Sequence, residues 1–467
     1  MTPEPASWPV LGPPYRTVLK PYGRALVELA RQRPEIVCLS GDLTRQCEID
    51  LFQAEFGDRF IHAGMAEANM IGVAGALARS GLIPFVHTFG VFATRRPLDQ
   101  IINAVAYPHL PVRIVGFMPG VSSPGGPSHQ AIEDVALMRA LPGMTIVDVA
   151  DATQTAQVVA AIADVPGPVY LRLKRGEIPV IFPDDHPFSL ERAQVLADGT
   201  PGTIGGGETT GGGETTGAAG TTGAAGTAGA GVSRGAGESE GGGETEGGRE
   251  TAGGGVTGGR AETSGGGVST GGGVSNGAGV SNGGGVSGVS GGASVSSGTS
   301  ARGGSGTAGI AGGLGLAPSP VSGSDVAFLV SGMMVASALA AARVLRTAGI
   351  ATVVVNVPVI KPLDTATILA VAATAQTVIT AENHSIIGGL GSAVAETLAE
   401  AALPRPLTRV GLRDTYPEPA QSAPYLFTRY GLTTQHLIDA AWSALHRPGT
   451  PPRSPTLPAD EGEYAPV

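Results

Sequence analysis

The chain has 467 residues, a formal net charge of −10 and a sequence pI of about 5.3. It has no run of basic residues, which argues against nucleic acid as a partner, and no stretch of about 18 apolar residues, which predicts no membrane span. Its two cysteines, Cys38 and Cys47, are too few for a disulfide framework. The N-terminus also lacks the pattern of a signal peptide, so we expect a reduced, cytoplasmic protein.

A glycine-rich segment separates two blocks that can fold. Residues 201–320 hold 47 of the 74 glycines and no Phe, Trp or Tyr. So little apolar surface cannot offset the entropy of ordering the chain, and we predict a disordered linker at 199–323. The flanking sequence predicts two domains at 18–198 and 324–447, an N-terminal extension at 1–17, and a disordered tail at 448–467.

Short apolar strands alternate with helical patterns in both domains. In the first domain, "GRALVELARQ" has helical spacing, "EIVCLSGDL" is strand-like, and the alternation continues through "LIPFVHTF", "VRIVGFM", "MTIVDVAD" and "PVYLRLKRG". The second repeats it on a smaller scale, from "SDVAFLVSG" to "LTTQHLIDAAWSALHR". Apolar strands separated by helices are typical of buried parallel sheets. The predicted fold class is α/β, with two doubly wound, mostly parallel-sheet domains joined by a long disordered Gly-rich insertion.

A single acidic residue opens one of the predicted helices. Glu67 precedes the run "ANMIGVAGALARSGL", in which the next charge is Arg79. An unpaired buried carboxylate is costly, so Glu67 has either a partner or a function; an acid at a helix start is also an ordinary structural feature. Phe89 and Phe92 in "HTFGVF" follow one strand later, and flat rings near a buried acid suit a flat heterocycle.

These residues lie within a longer resemblance. The stretch "GMAEANMIGVAGALARSGLIPFVHTFGVFATRRPLDQIINAVAYP" resembles the pyrimidine-binding domain of transketolase-like thiamine diphosphate enzymes. In the second domain, "IKPLD" and "ENHSIIGGLGSAVAE" are similar to the C-terminal domain of that family. The resemblance covers nearly all of both domains and points to the C-terminal subunit of a split transketolase. It implies transfer of a two-carbon ketol unit from a ketose phosphate to an aldose acceptor.

The resemblance implies how the cofactor is held. Glu67 would bond N1′ of the aminopyrimidine of thiamine diphosphate, which requires a carboxyl group that can hold a proton near neutral pH. Phe92 would stack on the aminopyrimidine, and Phe89 would line the same pocket. Asp42 and Leu43 in "SGDL" match positions beside the cofactor. An isolated Phe pair is otherwise more often core packing.

The resemblance also implies substrate contacts. His129 in "GPSHQ" matches a catalytic histidine that contacts substrate oxygens, and His87 is assigned to the same substrate region. Arg175 in "LKRG" matches an anchor for an anionic substrate, because a guanidinium suits phosphate geometry. Without the resemblance, His129 would be an ordinary helix-start residue and Arg175 a solvated charge.

The substrate half departs from the family pattern. In the family, the substrate loop reads "GEDG" before "THQ"; here the loop "GVSSPGGPSHQ" is one residue shorter. Pro124 and Gly125 stand where the family has an aspartate that would contact a sugar hydroxyl. Arg95 stands where transketolases often have a third aromatic ring. Near the start, Leu19 and Lys20 lie where a phosphate-binding arginine is expected. Such losses reduce discrimination for the matching hydroxyl, so a standard pentose phosphate is not specified.

One part of the family's machinery has no counterpart in the sequence. No "GDG…N" pattern occurs, although the family uses it to bind the diphosphate through a divalent metal. The resemblance therefore implies that Mg²⁺ or another divalent metal is held by a separate N-terminal subunit in an α2β2 assembly, with no metal ligands in this chain. Two other functions stay open: the β subunit of a 2-oxoacid dehydrogenase first component, and a non-catalytic α/β binding module.

Overall fold

The computed structural model describes residues 7–198, 323–420 and 422–455. Nearly all of the predicted linker and residues 456–467 of the predicted tail lie outside them. The first block forms, in chain order, β1 (Ser7–Val10), β2 (Thr17–Leu19), α1 (Pro21–Gln32), β3 (Ile36–Ser40), α2 (Asp50–Glu55), β4 (Phe60–His62), α3 (Glu67–Arg79), β5 (Ile83–Phe89), α4 (Gly90–Thr94), α5 (Leu98–Gln100), β6 (Arg113–Phe117), α6 (Asp134–Arg139), β7 (Thr145–Asp148), α7 (Ala152–Ala163), β8 (Val169–Leu173), β9 (Glu177–Pro179) and β10 (Gln194–Asp198).

The second block continues the same alternation of strands and helices. Its elements are β11 (Ser324–Val330), α8 (Met334–Thr347), β12 (Thr352–Asn356), β13 (Val359–Lys361), α9 (Thr365–Thr374), β14 (Ala375–Ser385), α10 (Leu390–Glu400), β15 (Leu407–Leu412), α11 (Ala423–Arg429) and α12 (Thr434–Ala444). In the first block, α5 runs on into a π-helical segment (Ile101–Ala106), and two 3-10 turns lie at Gly57–Arg59 and Gly120–Ser122.

A seven-stranded sheet forms the centre of the first block, in the order β13-β7-β8-β6-β5-β3-β4. Every pairing is parallel except that of β13 with β7. Its central strands are buried along their whole length because helices cover both faces. Phe85 and Phe89 of β5 face the layer of α1, α2 and α7, whereas Val86 faces the layer of α3 and the π-helical segment. This arrangement confirms the predicted α/β class.

A second sheet has six strands in the order β1-β10-β12-β11-β14-β15. Strands β12, β11, β14 and β15 are parallel, and β10 joins β12 in the antiparallel sense with β1 parallel at the edge. The two blocks thus exchange strands: β1 and β10 from the first complete the second sheet, and β13 from the second completes the first. Residues predicted as an N-terminal extension therefore contribute β1 and the start of β2.

A buried charge cluster lies where the two blocks meet. Arg172 of β8 donates to Asp134 Oδ2 at 2.9 Å and to Asp148 Oδ2 at 2.7 Å, and all three side chains are almost fully enclosed. Tyr170 donates to the same Asp134 oxygen, and Ser331 of the second block donates to Asp148. Each carboxylate therefore has at least two hydrogen-bond donors, which a buried charge requires.

Among the helices in the described parts of the chain, none combines the length and the apolar character needed to cross a membrane.

Candidate active site

The candidate site residues collect at one edge of the first sheet. Asp42 follows β3 in a left-handed conformation with φ of 67°, Phe89 ends β5 and Arg175 follows β8. The loop that carries His129 follows β6. Because these strands are parallel, their carboxyl ends meet at a single edge, where ligands bind in folds of this kind.

Glu67 is the first residue of α3 and is only 3% exposed. Arg96 Nη1 donates to Glu67 Oε1 at 2.5 Å, whereas the Arg96 side chain itself is 49% exposed. The sequence raised the choice between a partner and a function for this carboxylate. The structure supplies a partner, Arg96, which lies at the protein surface rather than in the core.

Three rings form an aromatic group, and the arginine that pairs with Glu67 lies over one of them. Phe89 and Phe92 stack at a centroid distance of 6.0 Å and an interplanar angle of 23°. The His129 ring meets Phe92 edge-on at 5.5 Å and Phe89 at 6.4 Å. The Arg96 guanidinium carbon lies 4.1 Å from the centroid of Phe92. Glu67 and Phe92 therefore contact the same planar guanidinium, and Phe89 and His129 lie against the Phe92 ring.

Arg95 ties down the loop that carries His129. It donates to the carbonyl oxygens of Pro127 at 2.7 Å and Gln130 at 3.0 Å, and it pairs with Glu133. From the second block, the Ala420 amide donates to the Pro124 carbonyl at 2.9 Å. The arginine that replaces a third aromatic ring thus fixes the position of the shortened loop.

Asp42 and Leu43 follow β3 at the same sheet edge. Leu43 packs, like Phe92, against the apolar cluster that contains Phe89. Asp42 Oδ1 is 3.2 Å from His62 Nε2, and both side chains are about half exposed, at 51% and 49%. These two groups offer polar atoms at the mouth of the site.

Two predicted substrate residues lie away from this group. His87 is fully buried, with Nε2 2.7 Å from Tyr22 Oη and Nδ1 3.1 Å from the Leu39 carbonyl oxygen. Burial lowers the pKa of His87 to about 3, so the ring is neutral at physiological pH. Both nitrogens are engaged, and we do not carry His87 into the proposed substrate contacts.

Arg175 is half-buried near Cys47, where its charge opposes the large rise that burial causes in the pKa of that thiol. Within the described ranges it forms no hydrogen bond or ion pair with Glu67 or His129. Arg175 therefore shares the sheet edge with the site, and its substrate role stays a prediction.

The sequence analysis missed Arg96, Arg95 and His62 as site residues. Arg96 lies in the turn after α4, where helical periodicity does not predict its contact with Phe92. His62 ends β4, beside the β3 edge that carries Asp42. In the described parts of the chain, no group of three or more His, Cys, Asp or Glu is arranged to hold a metal.

Comparison with known proteins identifies the family. The transketolase pyrimidine binding domain model matches residues 16–180, and the transketolase C-terminal domain model matches 315–437. The 6-deoxy-6-sulfo-D-fructose transketolase subunit of Clostridium sp. is 30% identical over 91% of this chain and 94% of its own length. One of the subunits of apulose-4-phosphate transketolase from Phocaeicola vulgatus is 37% identical over 41% of this chain and 62% of its own length.

A solved structure agrees with these relatives. A split gene transketolase, solved as an inactive β4 tetramer, matches with a TM-score of 0.60 and 30% identity, covering 92% of this chain and 99% of its own. Domain content, relatives and fold all lead to the same assignment. The chain belongs to the transketolase family and is similar to the subunits of split transketolases.

Proposed function

We propose that this chain is the C-terminal subunit of a thiamine diphosphate-dependent transketolase. It transfers a two-carbon ketol unit from a ketose phosphate, or a similarly anionic ketose, to an aldose acceptor. The observation that carries the proposal is the buried Glu67 carboxylate, bonded to a planar group that stacks on Phe92.

The residues present fit the aminopyrimidine half of the cofactor. The Arg96 guanidinium is flat and presents N–H donors at its edge, and it already occupies the space between the Glu67 carboxylate and the Phe92 face. An aminopyrimidine has the same flat face and a nitrogen-bearing edge. A pocket that accepts one such group has the shape and polarity to accept the other.

Each residue then has a role that follows from its position. Glu67 presents its carboxyl group to the ring nitrogen, in a pocket that leaves only 3% of this residue exposed. Phe92 orients the ring by stacking, and Phe89 backs the Phe92 ring. We assign Leu43 to the same pocket, because it packs against the apolar cluster that contains Phe89. When bound, thiamine diphosphate supplies the carbon centre that carries the two-carbon unit between sugars.

His129 is placed to contact the substrate. Its ring stands edge-on to Phe92, and its Nδ1 lies 2.9 Å from the Ser128 hydroxyl, which leaves Nε2 for a sugar oxygen. The names of two relatives indicate sugar substrates that carry a sulfonate or a phosphate. We assign Arg175 to such an anionic end, because a guanidinium pairs well with either group.

A partner subunit completes the proposed enzyme. Relatives at 30% and 37% identity are named as subunits, and the split transketolase neighbour was found inactive as a β4 tetramer. We assign the divalent metal and the diphosphate to an N-terminal subunit in an α2β2 assembly, with the exposed side of the Glu67 pocket facing that subunit.

The test is reconstitution with the N-terminal subunit that co-purifies from the native host. The pair is assayed with thiamine diphosphate, Mg²⁺ and a panel of ketose phosphates and sulfonates. We expect ketol transfer, and we expect Glu67→Gln to lower kcat by at least about a hundredfold, the scale of a lost acid–base group.

The control is Glu400→Gln, which removes an exposed carboxylate at the end of α10. It should leave kcat unchanged, and both variants should still bind the partner. Full activity of Glu67→Gln would contradict the proposal. Release of CO2 with acyl transfer to a lipoyl group would instead favour the 2-oxoacid dehydrogenase function.

A further inference from the structure

Arg96 stands in the one place that the cofactor ring needs. Its guanidinium contacts Glu67 through Nη1 at 2.5 Å and covers the Phe92 ring at 4.1 Å. A ligand that bonds the Glu67 carboxylate while stacking on Phe92 has to occupy the same volume. The two contacts cannot be made by Arg96 and by an incoming ring at once.

The Arg96 contacts are those of a ligand rather than of a structural arginine. In the described residues, the Glu67 carboxylate accepts its side-chain hydrogen bond from Arg96 alone, and no second donor locks the pair. The Arg96 side chain is 49% exposed whereas Glu67 is 3% exposed. Moving the guanidinium outward returns it to water, while the carboxylate stays behind in the pocket and needs another donor.

A neighbouring arginine shows the contrast. Arg95 makes hydrogen bonds to Pro127, Gln130 and Glu133, all in the loop beside the site. Releasing Arg95 would free three acceptors and the loop with them. Releasing Arg96 breaks one hydrogen bond and one ring contact, both of which an incoming planar group can replace.

We propose that Arg96 is the resident ligand of the pocket formed by Glu67 and Phe92, and that this pocket takes planar amidine and guanidinium-like groups, which displace Arg96. That the natural ligand is the aminopyrimidine of thiamine diphosphate rests on the proposed function. The occupancy by Arg96 does not.

The proposal has a quantitative consequence. A ligand that binds only the open pocket has its apparent affinity lowered by the fraction of molecules that are open. A guanidinium held by a carboxylate and an aromatic face keeps that fraction small. Removing it should raise affinity by about tenfold, the scale of one partly exposed ion pair with a cation–π contact.

The experiment uses the full chain and two small probes, so that it does not depend on a partner subunit. The probes are 4-amino-5-hydroxymethyl-2-methylpyrimidine and methylguanidine. Their dissociation constants are measured by isothermal titration calorimetry and ligand-observed NMR for the wild type, Arg96→Ala and Arg96→Gln. The matched control is Arg79→Ala, an exposed arginine at the other end of α3.

We expect both Arg96 variants to bind both probes about tenfold more tightly than the wild type, and Arg79→Ala to match the wild type. Adding Glu67→Gln to Arg96→Gln should abolish the gain. Thermal unfolding of each variant checks that the fold is intact, and Arg96→Gln retains a polar side chain if Arg96→Ala is unstable.

The outcomes separate this inference from the proposed function. If methylguanidine gains affinity and the aminopyrimidine does not, Arg96 is the resident ligand but the pocket is not a pyrimidine site, and the proposed function fails. If the wild type and both Arg96 variants bind the aminopyrimidine equally, the proposed function stands and the role of Arg96 is overturned. If neither probe binds to the Arg96 variants, the role of Arg96 is also overturned.

Discussion

Two arginines in this chain pair with buried carboxylates in opposite ways. Arg172 has a fully enclosed side chain and bonds Asp134 and Asp148, which are themselves almost fully enclosed. Arg96 bonds the single carboxylate of Glu67, and about half of the Arg96 side chain is exposed. One arginine is surrounded by its partners, and the other covers its partner from outside.

The difference separates a structural ion pair from a replaceable one. Around Arg172, Tyr170 and Ser331 donate further hydrogen bonds, so the network spans both blocks. Removing one member leaves an uncompensated buried charge. At Glu67 the carboxylate keeps a single donor that can leave to water. A ligand site requires a carboxylate with a replaceable donor, because a fully satisfied network has no free hydrogen-bond acceptor for a ligand.

The largest expected effect tests this comparison directly. Arg172→Ala should lower the free energy of unfolding by about 3–5 kcal/mol, because it leaves Asp134 and Asp148 buried without a cation. Arg96→Ala should lower it by less, about 1–2 kcal/mol, because buried Glu67 loses its donor but the removed side chain is half exposed and lets water reach the carboxylate. Both are measured by urea unfolding at pH 7, with Arg79→Ala as the control. Equal losses for the two variants would remove the distinction.

A third buried carboxyl group sharpens the comparison, because no arginine in the described parts of the chain forms an ion pair with it. Glu382 accepts the amides of Leu390 at 2.7 Å and Gly391 at 3.2 Å, at the start of α10. Burial raises its pKa from 4.5 to about 8, although these amide hydrogen bonds oppose the rise. Between about pH 4.5 and 8, Glu382 therefore keeps its proton in the folded chain and loses it in the unfolded chain.

The sign of the resulting pH dependence follows. The contribution of Glu382 to stability is fully present below about pH 4.5 and is lost as the pH rises through about 8. Between about pH 5 and 8, the wild type should lose about 3 kcal/mol more unfolding free energy than Glu382→Gln. Urea unfolding at several pH values measures this. Glu400→Gln should keep the wild-type slope, and an unchanged slope in Glu382→Gln would refute the assignment.

The sequence was sufficient for the elements whose signal is local. Continuous apolar runs located the strands of the first sheet, and Glu67 could be placed at the start of α3 from the change in polarity alone. The strand exchange could not be anticipated. β1, β10 and β13 are short, and their partners are set by contacts that are distant in sequence, which composition and periodicity do not report.

The same limit explains the site. Phe89, Phe92 and His129 lie in contact with one another. The group that contacts Glu67 is Arg96, which is 29 positions away in the sequence. His87 shows the reverse case. His87 lies two residues from both Phe85 and Phe89 along β5, so its side chain shares their buried face. This period-two pattern predicts a core position more directly than a substrate contact.

The smallest expected effect concerns how the two blocks are joined. β10 and β11 lie on either side of β12, and β10 runs antiparallel to both. The end of β10 and the start of β11 are therefore at the same edge, roughly 10 Å apart across two strand spacings. Deleting residues 201–318 leaves seven residues between β10 and β11. Seven residues can span about 20 Å, which is enough to connect the end of β10 to the start of β11.

We expect this deletion to change the free energy of unfolding by about 1 kcal/mol or less, because loop-closure entropy depends only weakly on length. Ketol transfer by the reconstituted pair should also stay within about twofold of the wild type. The physical reason is that the blocks are held together by strand exchange and by the Arg172 network, rather than by the connecting segment. The control replaces 201–318 with a Gly-Ser segment of equal length. A collapse in soluble yield of the deletion variant, but not of this control, would show that the length of the connection is itself required.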